Sequence, residues 1–211
     1  MINITLKKEI NFGIVADSFG ILINLLALIF ALMKLENREQ IIGVLLFTLI
    51  EVIQIIALIP NAPWKKPLIE GTSKPSIALI AIFGASFGFL WTTFGAGYLE
   101  PSQHLIQTFS YIGLFILLLG QFLSIWGILT LRKSFSLLPE ARELVTTGPY
   151  KLFHHPIYVG YSMVMFAQVL LYQNLYIFIG FIIAVLLFIL RAKFENTKLS
   201  ILPEYDAYVK K

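Results

Sequence analysis

Six apolar runs dominate this chain, at about 12–33, 41–60, 76–99, 108–131, 156–173 and 175–195. Most approach or exceed the roughly 20 residues a helix needs to cross the hydrocarbon of a bilayer. Of the 211 residues, 58% are hydrophobic and only 13% charged, about half the charged share of an ordinary soluble domain. The sequence therefore reads as an all-α polytopic membrane bundle of about six transmembrane helices. It forms one domain over 1–211, with three spans in 1–107 and a core ending in a helical hairpin in 108–211. Asn174 marks the tight turn of that hairpin. A short amphipathic helix near 203–210 is expected to lie at the membrane surface.

The net charge of +4 could suggest nucleic acid, but no basic, aromatic-interleaved soluble surface is present to hold it. All but Lys34 and Arg38 of the 16 Lys and Arg residues fall in the N-terminus, the second and fourth connections and the C-terminal segment. That asymmetry puts both termini in the cytoplasm. The expected location is a prokaryotic cytoplasmic membrane, with the lipid bilayer as the first partner. Lys7-Lys8 before an apolar run resembles a signal peptide. The run is long and no small-x-small site follows, so it is expected to stay as the first span. Cysteine is absent and only three His occur, which excludes disulfides and leaves no convincing metal site.

Several polar and small residues interrupt the runs. Asp17, Gly20 and Asn24 recur on one helical face, expected to point into the bundle. Glu51 sits mid-span, with Gln54 three residues on. An ionisable group that deep either lines a substrate cavity or makes an interhelical hydrogen bond. Gly84-x-x-x-Gly88 and the Gly113, Gly120, Gly127 stripe read as packing seams, within the chain or between subunits of an oligomer. Gly95-Ala-Gly97 is no dinucleotide fingerprint, because Glu100 stands at the third glycine position.

Chemistry concentrates in 144–160, where turn formers, aromatics and titratable groups crowd between apolar runs. Gly148-Pro149 marks a turn, and Pro156 suits the first position of a helix. Tyr150, His154, His155 and Tyr158 cluster around that helix start. Its unpaired N–H groups favour an anionic ligand group. The hairpin then sets His155 and Tyr158 beside Arg191 and Glu195, although about 35 residues separate them. Taken alone, Arg191 and Glu195 also read as an i,i+4 pair, and His154 as a solvated interfacial residue.

Leu144-Val145-Thr146-Thr147-Gly148-Pro149-Tyr150, followed by His155-Pro156-x-Tyr158-x-Gly160, resembles the signature of the isoprenylcysteine carboxyl methyltransferase and phospholipid methyltransferase superfamily. Arg191-x-x-x-Glu195-Asn196 and Glu204-Tyr205-x-x-Tyr208 continue the resemblance, which covers roughly the last 80 residues. It departs in two places. The family usually has Arg-His-Pro where this chain has His154-His155-Pro156, and a second Glu where it has Asn196.

The resemblance implies an integral membrane methyltransferase using S-adenosylmethionine on a lipid-like or amphipathic acceptor, such as a prenylcysteine-like carboxylate. His155, Tyr158 and Glu195 are the implied cofactor residues. Gly148, Pro149 and Gly160 shape the pocket, and Tyr150, His154 and Glu204 contribute around it. Arg191 is the natural catalytic anchor for an acceptor carboxylate or phosphate, and Glu51 a further substrate candidate. The alternatives are an NADPH-dependent membrane reductase of related fold and a non-enzymatic transport or assembly protein.

Overall fold

In a computed structural model, the described residues are 12–33, 52–53, 55–56, 87, 91, 102, 104, 106–131, 134–135 and 144–210. They form five α-helices and no strand among the described residues: α1 Phe12–Met33, α2 Gln107–Leu131, α3 Pro156–Tyr172, α4 Leu175–Leu199 and α5 Tyr205–Val209. A 3-10 turn over Gly148–Lys151 precedes α3.

The all-helical class agrees with the sequence, but the count of about six spans is not reached among the described residues. Two helices there, α2 and α4, are long and apolar enough to cross a membrane, each with 25 residues. At 1.5 Å per residue such a helix is about 37 Å long. The apolar α3 has 17 residues, because Pro156 opens it and Gln173 closes it in a left-handed conformation. Helix α1 coincides with the expected first run. The expected second and third spans, with Glu51, Gly84 and Gly88, lie largely outside the described residues.

Helix α1 buries Gly20 and Asn24 on one face, and Asn24 Nδ2 donates to the Gly20 carbonyl at 2.7 Å. Its Phe19, Leu22 and Leu26 are exposed. So are Phe115 and Phe122 on α2, and Leu186 and Ile189 on α4. Apolar surface of this kind suits lipid rather than water.

Helices α2 and α3 run antiparallel along the expected glycine stripe. A Cβ at Gly113 would lie 3.1 Å from the Ala167 carbonyl, one at Gly120 2.8 Å from the Gly160 carbonyl, and one at Gly127 2.7 Å from Ile157 Cγ1. Small residues let the two backbones approach this closely. Ser124, fully buried, returns its hydroxyl to Gly120 O at 2.8 Å. Met165 of α3 packs with Ala184 and Phe188 of α4.

The α3–α4 turn is capped at both sides. Gln173 (φ 48°) donates its N–H to Val169 O at 2.8 Å, and Asn174 Oδ1 accepts from Tyr176 N–H at 2.8 Å. The Gln173 side chain also holds both backbone groups of Ile106, each at 3.0 Å. The hairpin tip is thereby tied to the start of α2, leaving the opposite end of the hairpin to carry the site.

Candidate functional site

The start of α3 and the end of α4 build the site together. Pro156 takes the first helical position, where its missing N–H costs nothing, and His155 is the N-cap. The turn lays the His155 ring over Tyr158, with centroids 5.4 Å apart and planes 17° from parallel. Tyr158 in turn stacks on Phe188 at 5.7 Å and 6°. Phe188, Arg191 and Glu195 recur at the three- and four-residue spacing that keeps one helical face. That face meets the ring stack.

Hydrogen bonds join the four expected side chains, and a fifth. Arg191 Nε donates to the Tyr158 hydroxyl and, at 3.3 Å, to Glu195 Oε1. The Tyr158 hydroxyl donates to the same carboxylate oxygen. The other oxygen, Oε2, lies 3.3 Å from His155 Nδ1. His155 Nε2 meets Asn196 Oδ1 at 2.8 Å. The Arg191 guanidinium carbon also sits 5.6 Å from the Tyr158 ring centroid.

Both nitrogens of His155 thus face oxygen acceptors, an arrangement that the doubly protonated ring satisfies on both sides. Burial by itself lowers the His155 pKa. The hydrogen bond to Glu195, the charge of Glu195 and the Asn196 acceptor outweigh it, so the imidazolium persists above its ordinary range. Arg191 is only 5% exposed, while His155 and Glu195 keep 17% and 22%. A guanidinium this buried requires pairing, and Glu195 supplies it.

The 3-10 turn and α5 close the site from the side. Gly148 has φ +57°, and a Cβ there would lie 2.9 Å from Thr130 Oγ1, so glycine fits both the conformation and the space. Pro149 and Tyr150 are buried. Tyr208 of α5 donates its hydroxyl to the Tyr150 carbonyl at 2.7 Å, and Tyr205 is buried. Burial, with the nearby Glu195 charge, raises the pKa of Tyr150 and Tyr205, which keeps both phenols neutral near pH 7.

Of the expected residues, His155, Tyr158, Arg191 and Glu195 come together. Tyr150 stands beside them. Gly160 instead meets Ser124 and the Gly120 backbone, so it sets the α2–α3 approach. His154 is exposed and edge-on to Tyr208 at 5.0 Å. Glu204 is exposed at the N-cap of α5 and makes no side-chain cap. Glu51 lies outside the described residues. In the sequence Asn196 stands out only as a departure from the family pattern, and Phe188 carries no signal beyond preceding Arg191 by one helical turn. Tyr208, named in the sequence only as part of the C-terminal motif, binds the Gly-Pro-Tyr turn through its hydroxyl.

Compared with known families, residues 108–201 match the phospholipid methyltransferase model. The matched segment holds all but the first residue of α2, all of α3 and α4 and all five bonded side chains, and stops before α5. No curated protein and no solved structure matches the chain.

Proposed function

We propose that this protein, whose residues 108–201 are a phospholipid methyltransferase-family domain of the isoprenylcysteine carboxyl methyltransferase and phospholipid methyltransferase superfamily, transfers a methyl group from S-adenosylmethionine to a lipid-like acceptor. The family supports membrane methyltransferase activity. The observation that carries the assignment of the site is the bonded set His155, Tyr158, Arg191 and Glu195.

The donor set fits the cofactor's chemistry. S-adenosylmethionine supplies an electrophilic methyl on a sulfonium centre, together with an ammonium and a carboxylate. Glu195, partly exposed, offers a carboxylate to the ammonium. The start of α3 offers N–H donors and a positive dipole end to the carboxylate. Both faces of Tyr158 are taken by His155 and Phe188, so Tyr150 and Tyr161 beside the stack are the proposed aromatic partners of adenine or sulfonium. Tyr158 and His155 hold the Glu195 carboxylate in place, which limits the reorganisation that binding requires.

Arg191 is the proposed anchor for an anionic group of the acceptor. Its fork of donors matches a carboxylate or phosphate, and its place in the apolar bundle suits an acceptor arriving laterally from the bilayer. Catalysis in this scheme comes mainly from holding acceptor and methyl donor in line. The Lys and Arg distribution directs the site to the cytoplasm, where S-adenosylmethionine is made.

The deciding experiment incubates the protein in lipid nanodiscs with methyl-labelled S-adenosylmethionine, prenylcysteine and mixed phospholipids, and analyses the extract by mass spectrometry. Labelled acceptor should form and should fall to background in Glu195→Ala. Cofactor consumption with no labelled acceptor, or tight NADPH binding in place of S-adenosylhomocysteine, would overturn the assignment.

A further inference from the structure

Two consecutive residues of α4 hold one ring. Neighbouring residues on an α-helix point about 100° apart and do not face each other. Yet Glu195 Oε2 lies 3.3 Å from His155 Nδ1, and Asn196 Oδ1 lies 2.8 Å from Nε2. The imidazole therefore lies across the edge of α4 and spans the angle between the two side chains. We propose that Asn196 is a positioning residue whose side-chain oxygen holds the Nε2 end of His155, which fixes the Nδ1 end on Glu195 and keeps that carboxylate turned toward the ligand. The ligand half rests on the cofactor site proposed above. The clamp itself rests only on the two contacts to the ring.

The residue type matters. An amide oxygen accepts from Nε2 without adding an anion, whereas an ionised carboxylate adds one. Among the described residues, the groups that act on His155 are the Glu195 carboxylate, the Arg191 guanidinium and the Asn196 amide, all from α4. From its own helix, the Tyr158 phenol stacks on the ring. Tyr150 of the 3-10 turn and Tyr205 of α5 stand near Glu195 as neutral phenols. With Asn196 neutral, Glu195 is the anion that governs the ring among the described residues. Loss of the amide oxygen would leave an Nε2 proton unpaired in a half-buried place, favour the neutral ring and free it to turn.

The test uses the full chain in detergent with imidazole-labelled histidine. There are three histidines, and the His155 signal is identified by its loss in His155→Gln. Ligand-free titrations by NMR are compared for the native protein, Asn196→Leu and Asn196→Asp, and S-adenosylhomocysteine affinity is measured on the same samples. The His155 midpoint should fall by about one pH unit in Asn196→Leu and rise by about one in Asn196→Asp. Affinity should weaken about tenfold in Asn196→Leu and stay within about threefold in Asn196→Asp. An unchanged midpoint in Asn196→Leu, or equal loss of affinity in both variants, overturns the proposal. Should Asn196→Leu fail to fold, a midpoint in Asn196→Asp at or below the native one does so alone. Midpoints in the expected order with no ligand bound by any of the three proteins would support the clamp and refute the cofactor reading.

Discussion

Tyr158→Phe removes one oxygen and leaves the rest of the site in place. The ring keeps its stacking on His155 at 5.4 Å and on Phe188 at 5.7 Å, so the effect belongs to the hydroxyl. That hydroxyl accepts from Arg191 Nε and donates to Glu195 Oε1. Each bond involves a charged partner, and such bonds contribute about 1.5–3 kcal/mol. The full sum overstates the loss, because Arg191 Nε already lies 3.3 Å from Glu195 Oε1 and can close on it. A net loss of about 2 kcal/mol is expected, roughly a 4–8 °C fall in unfolding midpoint for a chain of this size. Thermal unfolding in detergent, followed by tryptophan fluorescence, measures it. S-adenosylhomocysteine binding should weaken at the same time, since Glu195 loses a donor that orients it. A midpoint within 1 °C of native, about the resolution of such a scan, with unchanged affinity would refute the claim that the phenol joins the two charges.

Gly160→Ala tests the helix contact beneath the site: the new methyl would meet the Gly120 carbonyl at 2.7 Å and Ser124 N at 2.8 Å. Backbone cannot step aside as a side chain does, so about 1–3 kcal/mol of destabilisation is expected, and adding Ser124→Ala should rescue it only partly. Near-native unfolding of the single variant would contradict this close approach. The pH dependence follows from His155, whose folded-state pKa lies above 6.5. Its contribution to stability should be complete below about pH 6.5 and fade as pH climbs through the higher folded value. His155→Gln should flatten that part of the stability curve, and an unchanged slope would show that His155 does not carry it.

The chain announces its bilayer-length helices because each must be apolar over its whole length, and Phe12–Met33 and Gln107–Leu131 agree with the runs to within about a residue. The glycine stripe on α2 was legible for the same reason: a seven-residue repeat of small side chains has few uses in an apolar helix besides close packing. Residues 188–196 were harder to read. Spacing on α4 places Arg191 and Glu195 on one face, but gives no register against α3, which is set by Pro156 and by the left-handed Gln173. By sequence Asn196 reads as a lost carboxylate, whereas in the structure its oxygen lies 2.8 Å from His155 Nε2. Gly160 was expected to shape the pocket, yet its missing side chain serves the α2 backbone, a distinction that no local pattern encodes.

The most direct test of the site is calorimetric binding of S-adenosylhomocysteine to the purified chain, beside Glu195→Gln, which keeps the shape of the side chain and removes its charge. Measurable binding by the native protein, weakened at least about tenfold in Glu195→Gln, is the predicted result. No binding by the native protein at millimolar ligand, or equal affinity in both, would contradict the assignment of this cluster as the cofactor site.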